Sequence, residues 1–169
     1  YQLGLISGYY RWRTPARPFP AESAPAIRLD LLPLPSREEL QLLLVDRLEE
    51  VVHEADEIVG GKVRLFGGDP VELQLETPGK LMHWSRRQRL KGDIKLIWEP
   101  ARFGWVFALG RAYLLTGDER FPAAFWQRWE EFQRANPVNL SANWESAQEV
   151  SLRLIALCWA ARLFESSPH

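Results

Sequence analysis

The stretch from Asp93 to Arg153 constrains this chain most, because its apolar spacing and its punctuation admit little besides consecutive helices. It reads DIKLIWEPARF, then ALGRAYLLTGDERF, then NP, then NWESAQEVSLR. Trp98, Val106, Leu109 and Tyr113 fall on one broad helical face, with Phe103 one position off the stripe. Pro100 fits the first turn of that helix, where a missing N–H costs nothing. Gly117 stops the helix and Asp118 caps the next. The second helix buries Phe121, Phe125, Trp129 and Phe132 and ends at Asn136-Pro137. After the loop VNLSAN, a third helix runs from about Trp144 to Phe164, with Val150, Leu154, Leu157, Cys158, Ala161 and Phe164 as its apolar stripe.

The preceding residues add three segments. Residues 1–35 have the composition of an extended arm, with Pro15, Pro18, Pro20, Pro25, Pro33 and Pro35 removing backbone donors. Regular structure there is limited to a short turn near Leu3–Tyr10, and YYRWRTPARPFP anchors the arm across the domain through its rings. A helix opens at Ser36, where Ser36 and Glu39 have capping-box spacing. It carries Leu40, Leu43, Leu44, Leu48, Val51 and Val52 at helical intervals and ends at Gly60-Gly61. Glu49, Glu50, Glu54, Asp56 and Glu57 form a solvated face, and His53 among them does not make a metal site. Alternation of Val63, Leu65, Val71, Leu73 and Leu75 across GGDP predicts a short β-hairpin at about 62–75. Gly67-Gly68 lacks the Lys-Ser/Thr and helix of a phosphate loop. The fold class is therefore mainly α, with residues 36–169 as one helical domain behind the arm.

Charge excludes two classes of partner. With 21 basic and 22 acidic residues and a net charge of −1, nothing favours nucleic acid or an anionic membrane. No apolar run reaches the roughly 20 residues of a membrane span. The chain begins at Tyr1 and has no signal-peptide pattern, so it reads as a piece of something longer. Its single cysteine, Cys158, lies in LIALCWAA and reads as a buried, inert thiol. Aromatic content is 12% with 8 Trp, which serves helix packing first and flat ligands such as sugar rings second.

Two sets of residues qualify as a site. His83, Trp84, Arg86, Arg87, Arg89 and Lys91 read either as a solvated loop or as a basic-aromatic lip for an acidic ligand. The second set is larger. Glu99/Arg102 and Glu149/Arg153 have the spacing of helical ion pairs, each worth about 0.3–0.5 kcal/mol on a surface. Both pairs sit near helix N-termini, beside Trp98 and Trp144. In a stack of antiparallel helix pairs, alternate helices start at the same end. Trp98, Glu99, Arg102, Asn143, Trp144, Glu149 and Arg153 would then share one rim. Such a rim reads equally as a carbohydrate site and as a polar network that fixes packing.

At about residues 55–165 the sequence resembles a known family. DIKLIWEPARF, LGRAYLLTGDERFPAAF, WEEFQRANP and NWESAQEVSLR, preceded by LFGGDPVELQL and MHW, resemble the N-terminal helical domain of heparinase II/III-like polysaccharide lyases, which include alginate lyases. The resemblance implies an (α/α) toroid of stacked antiparallel helical hairpins, of which residues 36–169 are the N-terminal portion. It implies β-elimination on uronic-acid polysaccharides without a metal or other cofactor. A Tyr or His removes the C5 proton, and Asn and His neutralise the carboxylate, whose full charge would otherwise leave that proton hardly acidic. The implied partners are an acidic polysaccharide or oligosaccharide and the remaining C-terminal part of the same protein, in a periplasmic or secreted location.

The chain departs from this pattern at the catalytic residues. The family's catalytic Asn lies in an Asn-His motif, whereas Asn136, Asn139 and Asn143 are none of them followed by His. No catalytic residue maps onto this chain, which is expected to be inactive alone and to expose an apolar face at its unpaired end. The alternative is a tetratricopeptide-like interaction scaffold. Leu109, Gly110, Tyr113 and Pro137 are in phase with it, but Trp126 and Trp129 stand where that repeat takes small residues, and no second copy follows at the repeat's period.

Overall fold

The computed structural model describes residues 1–16, 33–86 and 90–169. The chain is mainly helical. Its elements are α1 (Gln2–Ile6), α2 (Tyr9–Arg13), α3 (Arg37–Leu43), α4 (Leu48–Val59), β1 (Lys62–Arg64), β2 (Pro70–Glu72), α5 (Lys95–Ala101), α6 (Val106–Thr116), α7 (Arg120–Ala135) and α8 (Ala147–Leu163). Short 3-10 turns lie at Val45–Arg47, Trp84–Arg86 and Ala142–Trp144. No helix among the described residues is long and apolar enough to cross a membrane.

The centre of the molecule is α6, which packs against α3, α4, α7 and α8. Leu109 and Val106 are fully buried on it. Gly110 allows α8 to approach closely, since a Cβ there would lie 2.5 Å from Leu163 Cδ1. Gly117 ends α6 in the left-handed conformation at φ 73°, and the short turn after it folds α7 back onto α6. The N-cap of α7 is Glu119, without a side-chain cap; Asp118, expected as the cap, stands one residue earlier, its Oδ1 accepting from the Arg120 N–H at 2.9 Å. Phe121, Phe125 and Phe132 on α7 are fully buried around Phe103, whose ring lies 5.9 Å from Phe125 and 5.3 Å from Phe132. Edge-on geometry at these contacts sets the positive ring edge against the negative face.

Several elements differ from the sequence expectation. The segment from Asp93 to Gly117 forms two helices, separated at Arg102–Trp105. Phe103 adopts φ 60°, which ends α5 and turns its ring into the core. Pro100 sits near the end of α5 instead of in a first turn. There its carbonyl accepts from Trp105 Nε1 at 3.0 Å, so the break is hydrogen-bonded from both sides. The segment from Ser36 to Gly60 is also divided. The Ser36–Glu39 capping box is present, but the helix breaks after Leu43. Arg37 donates to the carbonyls of Leu115 and Thr116 at the end of α6, at 2.8 and 3.1 Å, while α4 runs along α6 and α7. Leu43, expected on the apolar stripe, is exposed as a result.

The hairpin forms as expected, with Lys62 opposite Glu72 and Val63 opposite Val71. Val63, Leu73 and Leu75 are buried, whereas Val71, opposite Val63, is exposed. The first sixteen residues hold two short helices hinged at Gly8 (φ 77°), more structure than the single turn expected from the prolines. Pro18, Pro20 and Pro25 lie outside the described residues.

The largest correction concerns α8. Its start is a 3-10 turn followed by a Ser146 cap, and its inward face is Glu149, Arg153, Ala156, Ala160 and Leu163. The expected stripe is one residue out of phase. Leu154 is 60% exposed and Ile155 53%, and Cys158 is only partly buried. Apolar residues surround α8 on all sides, so periodicity could not choose between faces, and the small Ala156 and Ala160 won the closer approach to α6.

Candidate functional site

Trp98, Glu99, Arg102, Asn143, Trp144, Glu149 and Arg153 come together, brought there by the end of α5, the turn before α8 and the first turns of α8. Their partnerships are not those expected from spacing. Arg102 donates from Nε to Glu149 Oε2 at 2.6 Å and from Nη2 to Glu149 Oε1 at 2.9 Å, a bidentate pair across two helices, and also pairs with Glu99. Glu149 is 3% exposed, and its carboxylate is hydrogen-bonded to Arg102 while its charge still acts on Arg153. The hydrogen bond from Glu149 raises the Arg102 guanidinium above its ordinary range, partly opposed by burial. The Glu149–Arg153 surface pair is thus replaced by a buried link between α5 and α8.

Arg153 is also 3% exposed, and two of its three nitrogens are used. Nε donates to the Ala101 carbonyl at 2.7 Å, at the negative C-terminal end of α5, and Nη2 donates to the Asn143 carbonyl at 3.1 Å. The guanidinium carbon lies 4.5 Å from the centre of Phe132 and 5.5 Å from that of Trp144. Nη1 is buried with no partner. Burial brings the group down to about 10, opposed by the charge of Glu149.

Asn143 belongs to a second buried network. Its Nδ2 donates to Thr77 Oγ1 and Asn136 Oδ1, while Asn136 Nδ2 donates to the Leu75 carbonyl at 2.7 Å. Trp98 and Trp144 are each held by the indole N–H, donated to the carbonyls of Ala142 and Asn136 at 3.0 and 3.2 Å. Thr77 and Asn136 carried no sequence signal for this role, beyond the helix-stopping NP.

Two clefts border these residues. The first, of about 240 Å³, has Glu99, Arg102 and Trp105 on one side and Glu54, Glu57, Lys62 and Arg64 on the other. Its charges are largely matched, with Arg64 on Glu57 and Arg111 on Glu54. The second, of about 310 Å³, is aromatic, walled by Trp129, Phe132 and Trp144 with Gln133 and Val138 at its edge and Ala16 beside them. Sequence reasoning assigned Trp129 and Phe132 to packing alone. Among the described residues, no group of three or more His, Cys, Asp or Glu converges as metal ligands.

The basic-aromatic lip takes a different form. His83 Nε2 meets the Thr14 carbonyl at 2.8 Å, and Trp84 Nε1 donates to Thr14 Oγ1 at 3.2 Å. Asn139 Nδ2 donates to the carbonyls of Thr14 and Pro15. The Tyr10 ring lies 5.3 Å from Trp84. His83 and Trp84 therefore hold the N-terminal segment instead of facing an open lip. Arg87 and Arg89 lie outside the described residues, and Arg86 and Lys91 are exposed.

No protein-family model, curated protein or solved structure matches this chain.

Proposed function

We propose that this chain is the N-terminal portion of a helical toroid in a polysaccharide lyase-like protein that acts by β-elimination on uronic-acid polysaccharide. The observation that carries this reading is the convergence of Trp98, Arg102, Asn143, Trp144, Glu149 and Arg153 at the junction of α5 and α8. These residues come from the two motifs, DIKLIWEPARF and NWESAQEVSLR, on which the resemblance rests. The large apolar side chains on the outer face of α8, Leu154 and Ile155, also support it, because exposed apolar surface suits cover by a further layer.

In this reading the chain binds and orients substrate, and elimination is carried out elsewhere in the protein. A base takes the C5 proton, the C4–O bond breaks, a double bond forms between C4 and C5, and the leaving sugar hydroxyl gains a proton. A periplasmic or secreted location goes with such a substrate. The test incubates the full-length gene product with alginate, heparan sulfate and hyaluronan and follows the ultraviolet absorbance of the unsaturated uronate. A rise with one polymer is the expected result. A flat trace from folded protein with every polymer overturns the reading in favour of a helical scaffold.

A further inference from the structure

The geometry points to the cleft between Trp129, Phe132 and Trp144 as a subsite for a single carboxylate-bearing sugar ring, with Arg153 as the source of its charge preference. This rests on the proposed action on uronic-acid polysaccharide and names a place on this chain where one ring of such a polymer sits.

Three observations combine. First, Arg153 is a buried cation whose neighbouring carboxylate, Glu149, is engaged by Arg102. Buried charges are ordinarily paired, and buried N–H groups ordinarily have acceptors. Arg153 has neither a carboxylate bonded to it in the described structure nor an acceptor for Nη1. Second, of the two rings over which its guanidinium lies, Trp144 is a partly exposed wall of the cleft, while Phe132 is fully buried beneath it. Arg153 thus sits behind the Trp144 ring, one ring's depth from a surface that a ligand can touch, in a region of low dielectric. Third, the cleft has the shape and chemistry for a flat, partly apolar ring. Trp129 and Phe132 are stacked at 17° with centres 5.7 Å apart, and Trp129 and Trp144 both remain partly exposed. A volume of about 310 Å³ is at the small end of ligand clefts, roughly 300–1,000 Å³, and admits one ring better than a run of them.

The occupant follows from that combination. A neutral apolar group would use the rings and waste the charge, and a free inorganic anion would use the charge and waste the rings. A hexuronate uses both, its C–H face against the indoles and its carboxylate drawn toward Arg153. The matched charges of the cleft at Glu54, Glu57, Arg64 and Arg102 offer no such preference.

The test titrates this chain with an alginate tetrasaccharide and with its carboxyl-reduced counterpart, following tryptophan fluorescence and heat. The native chain is expected to bind the acidic form at least about tenfold more tightly than the reduced form. Trp129→Ala weakens both, and Arg153→Met removes the preference between them. Because Arg153 is buried and its replacement can unfold the chain, Gln133→Glu serves as the second variant. It is exposed at the cleft edge and should weaken the acidic ligand while sparing the reduced one. Equal binding of the two ligands by the native chain, or acidic binding insensitive to both Trp129→Ala and Gln133→Glu, overturns the proposal. Elimination by the full-length protein with an empty cleft would leave the lyase reading standing without this subsite. Binding here without elimination would leave the subsite standing without the lyase.

Discussion

A Glu followed four residues later by an Arg ordinarily pairs on its own helix. Glu149 instead reaches α5, because Ser146 and the turn before it set the first turn of α8 against Arg102. Removing that carboxylate leaves Arg102 and Arg153 as neighbouring cations with no acid between them. Glu149→Gln should therefore destabilise the fold by about 3 kcal/mol, the bottom of the range of roughly 3–5 kcal/mol for a broken buried pair, because Arg102 keeps some solvent and Glu99. Urea unfolding checks this. Arg153 gives a prediction of opposite character. Its folded-state value lies below the ordinary arginine range, so the unfolded chain holds the proton more tightly. The stability contribution of Arg153 then rises as pH climbs from about 10 toward that range, and is flat below it. Compared with Arg153→Met, the native chain should gain stability over that window in urea melts. A difference that stays constant above pH 10 would contradict the assigned cost of burial.

At the scale of elements, signals local to the backbone were readable and those decided by neighbours were not. The Ser36–Glu39 box, the Gly117 stop and the hairpin each depend on a few adjacent residues, and each is present, while the Asp118 cap is displaced by one residue, with Glu119 at the N-cap. The break at Arg102–Trp105 depends on Phe103 entering the core from a left-handed backbone, which apolar spacing cannot express. Phase failed in α8 for a related reason: with Leu, Ile and Ala all round, the choice of inward face was made by α6. Of the candidate site, the meeting of the two motifs is expected on a premise that fails for one of them. Glu149 is in the first turn of α8, but Glu99 and Arg102 stand at the C-terminal end of α5, not near an N-terminus. Neither the pairing across helices nor the cleft beside it was legible. Gly110 tests the α6–α8 approach directly. Alanine gains about 1 kcal/mol of helix propensity, yet its Cβ would sit 2.5 Å from Leu163 Cδ1 in a buried contact. Overpacking costs about 1–3 kcal/mol, so Gly110→Ala should lower the melting temperature, and adding Leu163→Ala should recover part of that loss. The N-terminal segment gives another check. Asn139→Gly keeps the φ of 64° but deletes the amide that holds Thr14 and Pro15. Trypsin should then cut after Arg13 several-fold faster, with the unfolding midpoint of the helical domain little changed.

For the molecule as a whole, the question is which of its surfaces behave as solvent faces. Leu154 and Ile155 lie side by side on the outer face of α8, each more than half exposed. The Phe107 and Trp159 rings, 5.9 Å apart, extend apolar surface from α6 onto the same helix. Scattered exposed apolar residues are ordinary, but two large ones side by side on the solvent face of a helix whose inward face carries Glu149 and Arg153 depart from the usual amphipathic pattern. Contiguous apolar surface of this kind promotes association. The double substitution Leu154→Lys, Ile155→Glu separates a solvent face from a contact face. Neither side chain is in the core, so the unfolding free energy should stay within about 0.5 kcal/mol of native. Sedimentation velocity over a range of concentrations should show the native chain associating and the variant shifted toward monomer. Monomeric behaviour of both at every concentration would show that the outer face of α8 tolerates water as it stands, and would remove the support that Leu154 and Ile155 lend to a layered toroid.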